Sequence, residues 1–218
     1  QRLPKIGGLP DAHIERIVGL RPTLVLLGPR SRAAARLQEL GVPVLMLEAR
    51  NHAAVRRMLF TLGEVLGTPP VQVAALVAQM DADMAAAAAR LPTALRGRTV
   101  YVEISPAPHG ASNQSFIGET IARLGLVNVV HSDSVPFIKI NPELLLRRPP
   151  DLMIGARATL AHLAERPGWA LLPAVRQQQV CQLDDERMGL LLRPGHRMGE
   201  AAQMLVDCLR ALPPPASP

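Results

Sequence analysis

The sequence predicts an α/β fold in which two parallel α/β lobes are joined by one long backbone helix, and three observations carry that reading. Short apolar runs of strand length alternate with helical patterns in units of about 20 residues, the grammar of a parallel layer. Val71 to Leu91 reads as one uninterrupted helix. One pattern also occurs on each side of that helix: a Glu on a short helix, a Pro seven residues later, and an apolar strand at once after it.

In chain order, QRLPKIGGLP is loop-like, with Gly7 and Gly8 offering a turn. Asp11 is placed to cap a short amphipathic helix, His13 to Leu20, which Pro22 terminates. Thr23 to Leu27 is a continuous apolar run, the pattern of a strand buried on both faces. Gly28 to Ser31 turn into a helix, Arg32 to Leu40, followed by a strand, Val42 to Leu47, and a second helix, Asn51 to Leu66, ended by Gly67. Pro69 and Pro70 stand before the long helix and Pro92 stops it; Ala, Leu, Met, Gln and Arg all favour helix there. A membrane span of that length is excluded because Gln72, Gln79, Asp81, Asp83 and Arg90 would cost several kcal/mol in hydrocarbon.

Beyond the helix, Thr99 to Ile104 is a strand, Ser105 to Ser115 a Pro, Gly and Ser-rich loop, and Phe116 to Leu124 a helix closed by Gly125. Pro142 to Arg147 is a short helix, Asp151 to Ile154 a strand and Leu160 to Glu165 a helical turn. Val180 to Leu183 is a strand, Asp184 to Pro194 a loop and Gly199 to Ala211 the closing helix, with a frayed tail from Pro213.

With 218 residues and 48% hydrophobic content the chain can bury a real core. Aromatic content of 2%, with Trp169 and Tyr101 the sole Trp and Tyr, leaves little for stacking on bases. The formal charge of +6 is spread singly or in pairs such as Arg56 with Arg57 and Arg147 with Arg148, which reads as a solvated basic surface and not a nucleic-acid site. Cys181 and Cys208 would form one disulfide in an oxidising compartment. The first ten residues contain no apolar signal-peptide core. No G-x-S-x-G, P-loop, G-x-G-x-x-G, H-E-x-x-H or C-x-x-C pattern occurs, so the alternative of a small-molecule or nucleotide-sugar enzyme of α/β fold has no motif behind it.

The repeated pattern aligns Ile14-Glu15-Arg16-Ile17-Val18-Gly19-Leu20-Arg21-Pro22-Thr23-Leu24-Val25-Leu26 with Pro142-Glu143-Leu144-Leu145-Leu146-Arg147-Arg148-Pro149-Pro150-Asp151-Leu152-Met153-Ile154. Each half therefore carries one carboxylate at an equivalent place, which is otherwise an ordinary solvated helix residue or a helix-dipole partner. The first copy resembles the "E-x-I-x-x-L-x-P-D-L-V" element of the class III substrate-binding proteins of ABC importers, with Thr23 in place of Asp. That family takes up cobalamin, haem and ferric siderophores. Further resemblance lies in Ser115-Phe116-Ile117-Gly118-Glu119 with Leu124-Gly125 and Asn128-Val129, in Arg166-Pro167-Gly168-Trp169 with Leu172-Pro173-Ala174-Val175-Arg176, and in Arg193-Pro194-Gly195-His196-Arg197.

The resemblance implies an N-terminal lobe over 1–69 that lacks the family's first strand and helix, a connecting helix over 70–92, a C-terminal lobe over 93–218, and a ligand cleft between the lobes. It implies that Glu15 and Glu143 pair with arginines on the transmembrane subunits of an ABC permease. The expected protein is a monomer in the periplasm, or lipid-anchored outside the cytoplasm, that does not itself span the membrane, binds no nucleic acid and has no catalytic residues or intrinsic cofactor. Its cargo would be a metal chelate, cobalamin or a ferric siderophore ahead of haem, because Tyr101 falls inside a strand.

Ligands of open α/β layers bind at loops beyond the carboxyl ends of strands, here Gly28 to Arg32, Pro106 to Ser115, Gly155 to Thr159 and Asp184 to Arg197. Arg30, Arg187 and Arg197 would hold carboxylate or phosphate groups by bidentate bonds, or else serve as solvated surface. His109 is the candidate ligand for iron or cobalt, the alternative being a polar loop residue. Trp169 would form either a cleft wall or the plug of the second lobe, and Met188 with Leu190 to Leu192 either a face for a macrocycle or core.

Overall fold

The computed structural model describes residues 3–8, 12–29, 31–105 and 108–214. They form two compact units, a smaller one ending at Glu48 and a larger one starting at Ala49. The smaller unit holds helix α1 (Ile14–Gly19), strand β1 (Val25–Leu27), helix α2 (Ala33–Glu39) and strand β2 (Val44–Met46). The two strands pair in parallel, Val25 beside Val44 and Leu27 beside Met46. Val25, Leu27 and Val44 pack with Ile17, Ala33 and Leu37 of the helices. The expectation that β1 is buried on both faces is corrected here: Leu26, pointing the other way, is 49% exposed, because the helices of this unit cover one face only.

The larger unit begins with helix α3 (His52–Val65) and the long helix α4 (Pro70–Arg90), which matches the expected rod and is roughly 30 Å long at 1.5 Å per residue. Then come β3 (Thr99–Ser105), β4 (His109–Ala111), α5 (Phe116–Arg123), β5 (Val127–Asn128), β6 (Phe137–Lys139), α6 (Pro142–Arg147), β7 (Leu152–Ala156), α7 (Arg157–Leu160), α8 (Pro173–Arg176), β8 (Val180–Leu183), α9 (Asp185–Leu192) and α10 (Met198–Arg210). The sheet runs β6-β4-β3-β7-β8, with β5 also beside β3. β7 and β8 are parallel to their neighbours as expected, β5, which the sequence reading did not include, is parallel to β3, and β4 and β6 are antiparallel. The loop read at Ser105 to Ser115 thus contains a strand that folds back on β3, with a register shift between Glu103 and Ser105. Similarly, the loop read at Asp184 to Pro194 is mostly helix α9, started by the Asp184 carboxylate accepting from the Arg187 backbone N–H at 2.9 Å.

Each central strand feeds two cores by alternation. Val100, Val102, Leu152, Ile154, Cys181 and Leu183 point towards α4, α5, α9 and α10. Tyr101 and Met153 point to the other face, against Leu145 of α6, Leu160, Leu163, Trp169 and Leu172. Full burial of such a side chain contributes about 1.5–3 kcal/mol, so the strands are held from both sides. α4 buries Val73, Val77, Met80, Met84 and Ala87, one stripe at helical period. It lies against α10, where a Cβ on Gly199 would come 2.9 Å from the Met80 carbonyl oxygen. Asp81 of α4 binds Arg56 of α3 at 2.6 Å and Arg123 of α5 at 2.8 Å, and Arg90 pairs with Asp207 of α10. These contacts give the physical reason that α3, expected in the N-terminal lobe, belongs to the larger unit: its buried face of His52, Ala54, Val55 and Gly63 is committed there.

His52 is the polar joint of that packing. Its backbone N–H donates to Glu119 at 2.6 Å, and its Nε2 lies 3.0 Å from the Phe116 carbonyl oxygen and from Thr120 Oγ1. A carbonyl only accepts, so Nε2 carries the proton, and Nδ1 faces Arg123 Nη1 at 3.4 Å. Burial pushes the imidazole pKa below the ordinary 6.5, against the pull of Glu119. A lowered histidine pKa means that the folded state binds fewer protons than the unfolded one. Its contribution is therefore complete above about pH 6.5 and is lost as pH falls below it. The urea midpoint is expected to drop between pH 7 and pH 5.5 more steeply in the wild type than in His52→Gln, and equal slopes would show that His52 carries none of the dependence.

Cys181 of β8 and Cys208 of α10 are disulfide-bonded, with Cα atoms 5.9 Å apart. The link closes a loop of 27 residues through the α9–α10 elbow. Its reduction is expected to lower stability by about 3 kcal/mol, measured as the difference between denaturation curves with and without a reductant.

Candidate functional site

The carboxyl ends of β3, β7 and β8 place Ser105, Ala156 and Leu183 at one edge of the larger unit's sheet. At that edge the Ser105 hydroxyl lies 3.0 Å from His109 Nδ1, which fixes the plane of the imidazole, and His109 sits opposite Lys139 in the β4–β6 ladder. Arg157 is exposed just beyond β7, and the Thr159 hydroxyl donates to the Ala156 carbonyl at 3.0 Å. Beyond β8, helices α9 and α10 enclose an open cavity of about 940 Å³. Arg187, Arg193 and Arg197 supply its cationic groups, Asp184, Asp185, Glu186 and Glu200 its acidic ones, His196 an imidazole, and Leu190 and Met204 its apolar lining.

Within the cavity Arg197 holds Glu200 by two bonds of 2.7 Å. These bonds keep the Glu200 carboxyl below the usual carboxylate range and raise the Arg197 pKa above its ordinary value. Arg187 lies 3.6 Å from Asp184, and the Arg193 guanidinium lies over Gly189, where a Cβ would come 3.7 Å from Nη1. Arg197 and Arg187 are thus each paired with an acidic neighbour, Arg197 through its planar fork. Among the described residues no three His, Cys, Asp or Glu side chains converge to hold a metal ion, so His109 stands as a single candidate imidazole.

Arg187 and Arg197 line one cavity, and His109 stands on the sheet edge. Arg30 lies outside the described residues. Two candidates are corrected. Trp169 is fully buried, edge-on to Tyr101 with ring centroids 6.1 Å apart, so it plugs the core and walls no cleft. Met188 is buried with Leu191 in the core shared by α9 and the sheet, because the segment is a helix whose apolar side faces inward. Tyr101 is also buried; burial first, and the Glu103 carboxylate next, push its phenol far above the ordinary range. Glu15 and Glu143 are both exposed near the starts of α1 and α6, with Ile17 and Leu145, two residues on, buried in each case. Glu143 has Arg147 at 3.5 Å, while Glu15 has no hydrogen bond or ion pair among the described residues.

Sequence reasoning missed Glu103 and Arg166. Glu103 is 0% exposed, and both its oxygens are held by Arg166 at 2.6 and 2.9 Å. A lone charge inside the apolar run TVYVEIS was the available signal.

Residues 2–187 match the periplasmic binding protein family, and the chain belongs to it. Such proteins are the substrate-binding components of ABC importers; they bind and hand over, and placement in the family assigns the chain to the outer side of the membrane. No curated protein matches the sequence. Among solved structures, the fold is similar to the periplasmic heme-binding protein RhuT from Roseiflexus sp. RS-1, with 25% identity, TM-score 0.79, and coverage of 95% of this chain and 82% of that one. It is similar to the periplasmic heme-binding protein BhuT in complex with two hemes, at 26% identity, TM-score 0.76 and the same coverages of 95% and 82%. The periplasmic vitamin B12 binding protein BtuF of Vibrio cholerae shares the fold at 20% identity and TM-score 0.74, over 95% of this chain and 82% of that one. No helix of the described residues is long and apolar enough to cross a membrane.

Trp169→Ala is expected to destabilise the protein by about 3–5 kcal/mol, as for a buried aromatic, in a denaturant titration. Arg197→Ala, on the exposed cavity wall, is expected to leave the melting temperature unchanged.

Proposed function

We propose that the protein captures a metal chelate outside the cytoplasm and delivers it to the transmembrane subunits of an ABC permease, docking through Glu15 and Glu143. The observation that carries the cargo class is the sheet edge and adjoining cavity of the larger unit. One oriented imidazole, His109, stands at that edge, and arginines and carboxylates together line the cavity beside apolar Leu190 and Met204. Such a surface suits a large molecule with an apolar body and polar or charged side groups. Cobalamin or a ferric siderophore is the first reading, since burial of Tyr101 removes tyrosine ligation of haem. Haem held by His109 is the second, favoured by the likeness to the two heme-binding proteins.

Two-point docking is supported by the repeat itself: the same short helix with an exposed Glu at its second position precedes β1 in one unit and β7 in the other. Carboxylate–arginine contacts are directional, and two of them fix an orientation.

Titration with cyanocobalamin, hemin and a ferric siderophore panel, followed by visible absorbance and calorimetry, tests the cargo. Trp169 quenching serves poorly, because the indole is shielded. Saturable sub-micromolar binding of one compound is expected; a Soret shift abolished by His109→Ala would select haem, and binding of none would overturn the reading. For docking, Glu15→Ala with Glu143→Ala is expected to abolish uptake through the cognate permease at unchanged cargo affinity. A loss of affinity would place the carboxylates in the cargo site instead.

A further inference from the structure

Glu103 and Arg166 form a buried, doubly bonded ion pair that the docking and cargo residues above do not include. Glu103 stands on β3 two residues before Ser105, on the face shared with Tyr101, whose hydroxyl donates to Glu103 Oε2 at 3.3 Å. Arg166 arrives from the far end of the segment that follows β7. Besides its two bonds to Glu103, its Nη2 donates to the Thr159 carbonyl at 3.1 Å, and its guanidinium stacks 4.5 Å from the centre of the Trp169 ring. Gly155 of β7 makes room for the pair: a Cβ there would come 3.0 Å from the Glu103 carbonyl oxygen and 3.2 Å from Leu160 Cδ1. A single guanidinium therefore joins the last turn of β3, the residues after β7 and the aromatic plug.

Such a pair is a poor way to gain stability. Desolvation offsets most of the attraction, and well-packed apolar replacements of similar volume are often neutral or stabilising. What it supplies is direction, because a guanidinium fork accepts one geometry and an apolar contact accepts many. We infer that Glu103 and Arg166 are positioning residues for cargo: their pairing sets the carboxyl end of β3, where Ser105 and His109 stand, and the segment 157–163 after β7 in the arrangement that receives the ligand. The inference rests on the cargo reading proposed above.

The test is the double variant Glu103→Met with Arg166→Met, alongside Arg166→Lys, which keeps the charge and loses the fork. The double variant is expected to melt at the wild-type temperature or higher, yet to bind whichever of cyanocobalamin, hemin or ferric siderophore the wild type binds at least about tenfold more weakly. Arg166→Lys is expected to weaken binding in the same direction, and the emission of Trp169 to shift in both. In parallel, amide hydrogen exchange should quicken by about tenfold or more at Ser105, His109 and residues 157–163 of the double variant, while β5 exchanges as before. Unchanged affinity and unchanged exchange in a folded variant would overturn the inference. So would failure of the double variant to fold together with full affinity in Arg166→Lys, since the pair would then serve stability alone. If the wild type binds none of the compounds, the cargo reading fails, and the exchange pattern still decides whether the pair positions those segments.

Discussion

The larger unit depends on one constraint: β3 and β7 are buried on both faces, so alternate residues of each strand must satisfy two cores at once. A slip of one residue would send Tyr101 into the helices and Val102 under Trp169. The register between Val100 and Leu152 is therefore fixed by side-chain size as much as by the backbone ladder. From this follows the carboxyl edge, because a fixed register puts Ser105, Ala156 and Leu183 on a common line, where the candidate cargo residues stand.

Several of the polar groups inside this unit serve as joints between its elements. His52 joins α3 to α5, Asp81 joins α4 to both, and Glu103 with Arg166 joins β3 to the segment after β7. Each is a place where two elements could slide on an apolar surface without much loss, and where a directional bond selects one arrangement. A substrate-binding component of an importer must hold its ligand and hand it on. Stiff joints serve that end, and the disulfide between β8 and α10 adds another beside the cavity.

Much of this was legible in the residues. The order of strands and helices, the long helix and its limits, and the repeated Glu-to-Pro spacing follow from apolar periodicity, proline and glycine, which act over a few neighbours. The exposed positions of Glu15 and Glu143 follow equally, since a short helix that buries Ile17 or Leu145 turns the adjacent Glu outward. What failed had non-local causes. β4 and β6 are too short to announce themselves, and only the pairing of β4 with β3 and of β6 with β4 makes them strands. α9 looked like a loop because Asp184, Asp185 and Gly189 are weak helix formers, and its inward face of Met188 and Leu191 has meaning only against the core.

By itself, then, the sequence determined the α/β class, the element order, the long helix and the two equivalent carboxylates, because each rests on local propensity or on a spacing along the chain. Only the tertiary structure decided that Trp169 and Met188 are core, that α3 is committed to the larger unit, that β4 and β6 run antiparallel, and that Glu103 meets Arg166. Those facts depend on which faces meet, and 63 residues of chain separate the two partners of the buried ion pair. No periodicity spans such a distance, and the pairing exists only once both faces of the sheet are covered.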